Sequence, residues 1–205
     1  MLVASGFKIR AMTLADIPQV IDVERESFPT TWPQTAYRRE LTNKFARYLV
    51  LVDESKPLSV VDVPRPRRSL FGFWRRPEPP PLTSDRIIGY VGMWLMVDQA
   101  HIVAIAVRER YRRQGLGELL LAQAIDLSLE SQMDSVTLEV RRSNTSAQAL
   151  YDKYRFLKVG VRARYYSDNH EDAIIMTTPP IQDEFYLDHL EALKARYQER
   201  WQREI

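Results

Sequence analysis

Arg112-Arg113-Gln114-Gly115-Leu116-Gly117 stands between an apolar run, Ala104-Ile105-Ala106-Val107, and a leucine-rich stretch that begins at Leu116. This order reads as a strand, a glycine loop and a helix, so a helix must start where a sheet strand ends. A helix N-terminus carries unpaired amides and a partial positive charge and favours an anion. Gly115 and Gly117 let the backbone approach a phosphate closely, and the flanking arginines add charge. No Lys-Ser/Thr pair follows, which excludes a Walker A loop. No third glycine stands at the spacing of a dinucleotide fingerprint. Taken as six residues alone, an ordinary strand-to-helix turn remains open.

The other elements group around that unit. Phe7 to Arg10 reads as a short strand. Thr13 caps a helix, with Asp16 three residues on and Pro18 in its first turn; Ile17, Val20, Ile21 and Phe28 give it an apolar side. Pro29 stops it, and Trp32-Pro33 opens a second short helix through Leu41. Tyr48 to Val52 reads as a buried strand. Residues 87–97 form a strand, Asp98-Gln99 a tight turn and Ala100 to Val107 the returning strand of a hairpin. A helix over Leu116 to Leu129 follows, with Leu119, Leu120, Ala124, Ile125 and Leu127 apolar. Then come a strand over Val136 to Val140, a helix over Asn144 to Tyr154 with Asn144 as its cap, and strands over Val161 to Tyr166 and Ala173 to Thr177. This is a mixed α/β (α+β) domain around a single sheet.

Between residues 53 and 86 stand seven prolines and six arginines, too much proline for a packed helix or sheet. The stretch reads as an irregular insertion. Its Leu70-Phe71-Gly72-Phe73-Trp74 centre fits packing on its own domain better than a contact with RNA or a membrane surface. Residues 7–178 thus form one domain interrupted by 53–86, and 179–205 form a C-terminal helical extension. In that extension Phe185, Leu187, Leu190, Leu193 and Tyr197 cover one face, as a packing appendage or dimer element rather than a catalytic part.

At 205 residues with 45% hydrophobic and 27% charged, the chain supports a single cored domain. A net charge of +2 is compatible with an anionic ligand without requiring one. There is no cysteine, so catalysis through an acyl-cysteine is excluded. His101, His170 and His189 show no paired ligand spacing, and no metal site is expected. No apolar window reaches the length of a membrane span and no signal peptide opens the chain, so the protein reads as cytoplasmic.

From Leu138 the chain reads LEVRRSNTSAQALYDKYRF, followed by Tyr165-Tyr166 and by EDAIIM from Glu171 to Met176. With the AIAV strand and the RRQGLG loop, this resembles the GNAT N-acetyltransferases and, among them, the ribosomal-protein-alanine acetyltransferases of the RimI type. The resemblance covers about residues 8–178, leaving out 53–86. It implies the GNAT fold, a mixed and mostly antiparallel sheet flanked by helices and splayed at the cofactor cleft. It implies acetyl-CoA as co-substrate, with no metal. Transfer is direct, in a ternary complex, to the N-terminal amine of a protein: alanine, on a small-subunit ribosomal protein, with no direct nucleic-acid contact.

Residue by residue, the resemblance implies Glu139 as general base and Tyr151 as general acid, with Asn144 contacting the cofactor. Ile105, Ala106 and Val107 pair through their backbone with the pantetheine arm, and the Val107 amide stabilises the oxyanion. Arg112, Arg113, Gln114, Gly115, Leu116, Gly117 and Glu118 form the pyrophosphate loop. The Tyr165-Tyr166 region holds the acceptor; as successive residues of a strand, at most one of the two faces the cleft. There are two departures. Arg155 stands where the family has glycine, so the turn after that helix is expected to differ. Glu118 stands where the family often has a basic residue.

Without the resemblance, Glu139 reads as a surface glutamate, Tyr151 as a half-buried core tyrosine, Asn144 as a cap and Trp32 as core rather than acceptor groove. Two other functions stay open: acetylation of a small amine by the same fold, and a non-catalytic acyl-CoA-binding module.

Overall fold

A computed structural model describes residues 4–56 and 83–203. Among the described residues, strand β1 (Phe7–Ala11) leads through a 3-10 turn (Leu14–Asp16) into helices α1 (Ile17–Ser27) and α2 (Gln34–Glu40). Strands β2 (Ala46–Asp53), β3 (Arg86–Met96) and β4 (Gln99–Val107) follow, then helix α3 (Leu116–Glu130). The chain continues with β5 (Ser135–Arg141), α4 (Thr145–Lys153), β6 (Leu157–Arg162), β7 (Ala173–Thr177) and α5 (Glu184–Arg203). No helix among the described residues is long and apolar enough to cross a membrane.

The strands form a seven-stranded sheet in the order β1-β2-β3-β4-β5-β7-β6. All neighbours are antiparallel except β4 and β5, which run parallel. Alternation along the central strands divides the apolar side chains between two faces. Leu51, Ile88 and Val91 join α3, α4 and α5 in one core, while Val50, Val52, Ile87 and Tyr90 join α1 and α2 in another.

Several sequence expectations shift. Thr13 caps the 3-10 turn rather than a helix; its amide and hydroxyl both reach Asp16 Oδ2, at 2.7 and 2.9 Å. The hairpin turn is Val97-Asp98, one residue earlier than expected, because the register closes on Met96↔Gln99. Val97 is fully exposed with φ 46°, unusual for a β-branched residue. The last strand before β7 is Leu157–Arg162, not Val161–Tyr166. β7 begins at Ala173, which pairs with Arg162, and Arg164 at φ 51° breaks the extended chain.

The proline-rich segment has strands as its ends. β2 runs through Asp53 and β3 starts at Arg86, and these two residues pair. Its Leu70–Trp74 centre lies outside the described residues.

The C-terminal helix is a core element. Tyr186, Leu190, Leu193 and Tyr197 are all buried, whereas Phe185 and Leu187 of the expected face point outward. The real stripe follows i, i+4, i+7 and i+11. It covers the outer side of α3, which is why α3 is apolar nearly all round, and Lys194 pins it to Asp126 at 2.6 Å.

Candidate active site

The cleft exists because β4 and β5 part. Their pairing runs from Gln99↔Ser135 to Ile102↔Leu138 and stops. At that point β4 carries a bulge: Met93 pairs with Ile102 and Gly92 with Ala104, so Val103 is the extra residue. A bulge bends and twists its strand. Beyond it the β3 side of β4 stays paired through Val107. No β5 residue pairs with β4 past Ile102, so the other edge of Ile105, Ala106 and Val107 faces the gap, where the Val107 carbonyl accepts from Arg112 and the rest of the edge can pair with an extended ligand.

Residues from both strands, from α1, α2 and the loop between them, and from β2, β3, α4 and the β6–β7 loop enclose a cleft of about 510 Å³. Glu139 is the first residue of β5 past the last β4 pair. Its Oε2 lies 2.6 Å from His101 Nε2 and its Oε1 3.0 Å from Arg162 Nε. The His101 hydrogen bond holds the Glu139 carboxyl below its usual range; burial opposes the shift and the Arg162 charge reinforces it. Tyr151, on α4, lines the same cleft with its ring packed on Phe156. Burial keeps its hydroxyl protonated well above the ordinary phenol value. Asn144 also lines the cleft, and its side chain caps α4 by accepting from the Ala147 amide at 3.1 Å.

The loop ahead of α3 has the shape its glycines require. Arg113 and Gly115 both take left-handed backbone, at φ 64° and 81°. The first helical bond is Leu119 N–H to Gly115 O at 3.0 Å, which leaves the amides of Leu116, Gly117 and Glu118 without intrahelical acceptors. Arg112 is spent on scaffolding: it donates to the Val107 carbonyl at 3.0 Å and to Ser27 Oγ at 3.1 Å. The Glu118 side chain turns inward to Lys153 at 2.5 Å and the Tyr154 hydroxyl at 3.1 Å, so only its backbone addresses the loop.

At the open end, Tyr165 and Tyr166 both line the cleft. Lying in the β6–β7 loop rather than in a strand, they escape the alternation that would have sent one away. Their rings meet edge to face at 5.2 Å, and Arg141 stacks 3.8 Å over Tyr166. Glu171 anchors this loop, accepting from the Ser143 amide at 2.6 Å. Trp32, expected in the core, is 38% exposed and lines the opposite wall with Phe28, Tyr37, Tyr48 and Trp94.

Arg155 closes the turn after α4. Arg155 N–H bonds Asp152 O and Phe156 N–H bonds Tyr151 O, both at 3.0 Å, a Schellman closure. Arg155 sits at φ 60° where glycine would be unstrained, and its guanidinium stacks 4.3 Å over Phe185 of α5.

A profile of the Acetyltransferase (GNAT) family matches residues 17–156. The chain belongs to the GNAT family of acetyltransferases. It is 34% identical over 169 residues to a Bacillus subtilis protein named putative [ribosomal protein bS18]-alanine N-acetyltransferase, covering 82% of this chain and 92% of that one. An N-alpha-acetyltransferase of Saccharolobus solfataricus is 33% identical over 175 residues, covering 84% and 93%. The crystal structure of the ribosomal-protein-S18-alanine N-acetyltransferase from Escherichia coli superposes with a TM-score of 0.65 at 24% identity, over 85% of this chain and 94% of that one. The protein is thus a GNAT N-acetyltransferase of RimI type with the expected mixed, mostly antiparallel sheet, and the family uses acetyl-CoA.

The structure brings Glu139, Tyr151, Asn144 and Ile105 into one cleft and sets Gly115 to Glu118 at the start of α3. Sequence reasoning missed His101 and Arg162 beside Glu139. Thirty-eight residues separate His101 from Glu139, and only the parallel register His101↔Thr137 brings them together.

Proposed function

We propose that this GNAT enzyme acetylates the N-terminal amine of a protein, with the alanine of ribosomal protein bS18 as first candidate, by direct transfer from acetyl-CoA. The observation that carries the reading is the Glu139–His101 pair, set where β4 and β5 part and sharing one cleft with the Tyr151 hydroxyl. The bS18-alanine name of the Bacillus subtilis relative supports the acceptor, and the archaeal N-alpha-acetyltransferases support a protein N-terminus more generally.

The residues fit the donor. The edge of β4 that β5 leaves uncovered at Ile105 to Val107 accepts the pantetheine arm as an added strand. The amides of Leu116, Gly117 and Glu118 meet its pyrophosphate. The acceptor enters between Trp32 and Tyr165, arriving as an ammonium. Glu139 is ionised and already bonded on both oxygens, so it acts with His101 as a coupled acceptor. With His101 Nε2–H donating to Glu139, Nδ1 is left to take the amine proton, directly or through one water. The freed nitrogen attacks the thioester carbonyl, the Val107 amide stabilises the oxyanion, and the C–S bond breaks. Tyr151 gives its proton to the departing sulfur and regains one from the nitrogen, which sheds its second proton as the amide forms. No covalent enzyme intermediate is needed, consistent with the absence of cysteine.

The test is acetylation of peptides beginning with Ala, Ser, Met or Gly, read by mass spectrometry beside small amines such as spermidine. Modification of the alanine peptide at its α-amine is expected. Transfer to small amines alone would refute a protein acceptor, and acetyl-CoA binding without any transfer would leave a non-catalytic module.

A further inference from the structure

Tyr197, Arg200 and Trp201 of α5 share one helix face at i, i+3 and i+4, and that face meets the phosphate loop. A Cβ on Gly115 would stand 3.4 Å from the Tyr197 ring and would overlap Arg200 Nη2. Gly115 is glycine for its left-handed φ of 81°, and the end of the flexible Arg200 side chain lies against its Cα. Arg200 also reaches Glu118 Oε2, but at 3.6 Å, while Lys153 holds the other oxygen of that carboxylate at 2.5 Å. One carboxylate faces two cations, and the closer is Lys153. Arg200 is left 44% exposed with a net positive charge on the rim of the loop. The face carries two more buried polar atoms, Tyr197 Oη and Trp201 Nε1, with Tyr197 interacting with both Trp201 and Arg200.

We infer that α5 is part of the donor site and that Arg200 binds a phosphate of coenzyme A, across Gly115 from the first amides of α3. The inference rests on acetyl-CoA being the donor, as proposed above. The planar guanidinium fork suits a phosphate better than the long, shared contact to Glu118. When Arg200 turns to the phosphate, Glu118 keeps Lys153 and Tyr154, so no buried charge is stranded.

The experiment compares full-length wild type with Arg200→Ala, Arg200→Lys and Arg196→Ala. Kd for acetyl-CoA and for 3′-dephospho-acetyl-CoA is measured by calorimetry, and KM for acetyl-CoA and S-acetyl-pantetheine by turnover. Arg200→Ala should weaken acetyl-CoA about tenfold with Arg200→Lys between it and wild type. The exposed Arg196→Ala on the same helix controls for general charge. The preference for acetyl-CoA over S-acetyl-pantetheine should shrink by the same factor. A penalty that vanishes with the 3′-dephospho donor supports the 3′-phosphate as the group bound; one that persists supports the pyrophosphate. Unchanged acetyl-CoA affinity in Arg200→Ala, or equal losses with S-acetyl-pantetheine, overturns the inference alone. Wild type that fails to bind acetyl-CoA overturns the donor reading and this inference together.

Discussion

His101 Nε2 lies 2.6 Å from Glu139 Oε2, across the point where β4 and β5 separate. Two strands that pair for four residues and then diverge hold a histidine and a carboxylate at the apex of the gap. If the two groups work as a unit, their losses do not add. Glu139→Gln and His101→Asn should each lower kcat/KM for the alanine peptide about 100-fold, and the double variant should be little worse than either. Acetyl-CoA affinity by calorimetry should stay near wild type, since neither side chain belongs to the phosphate loop. Fully multiplicative losses would refute a coupled pair.

Tyr151→Phe removes the proposed proton donor while keeping the ring on Phe156. The expected loss in kcat is on the order of 100-fold. Because burial raises the hydroxyl above its ordinary value, wild-type kcat should show no descending limb below about pH 10. A pH–rate profile that falls between neutrality and that point would count against Tyr151.

Gly92 faces the Tyr48 ring, and a Cβ there would overlap it. Gly92→Ala should cost about 1–3 kcal/mol of stability in chemical denaturation, the range for overpacking. Because Tyr48 lines the acceptor wall, the peptide KM should rise more than the acetyl-CoA KM.

Leu190 is 1% exposed on α5 and packs in the core that contains α3. Leu190→Ala should cost about 2–5 kcal/mol by denaturant unfolding. An appendage would lose far less, so a cost under about 1 kcal/mol would return α5 to that status.

Glu171 is held down to about 2 by its hydrogen bonds from Ser143. A carboxylate depressed in the folded state stabilises fully above its unfolded value, near 4.3, and that contribution fades as pH falls toward the folded value. Wild type should therefore be more stable than Glu171→Gln at pH 7, and the gap should narrow between about pH 4 and pH 2. Denaturant melts at pH 7 and pH 3 measure it. The same variant should raise the peptide KM by loosening the loop that carries Tyr165 and Tyr166.

Much of the site is legible in the amino-acid sequence, and the residues that are not legible there share a cause. RRQGLG announces itself because strand, glycine turn and helix start are all local. Asn144 reads as a cap for the same reason, and its side chain does accept from Ala147. The sequence puts Tyr165 and Tyr166 in a strand because nothing local says where an edge strand ends; the pairing of Arg162 with Ala173, the first residue of β7, decides that. The face of α5 differs from the apolar pattern because its true stripe is defined by the groove over α3, and Phe185, apolar in sequence, lies outside it against Arg155.

The sequence by itself determined the element order, the phosphate-type loop, the family and the absence of a thiol nucleophile, because each is written in contiguous residues or in composition. Only the tertiary structure decided that His101 and Arg162 share Glu139, that Glu118 faces Lys153 rather than the loop, and that Arg200 lies on Gly115. Those relationships join residues dozens of positions apart. They are fixed by strand register, by one bulge at Val103 and by the helix packed over α3, and no spacing along the chain encodes them.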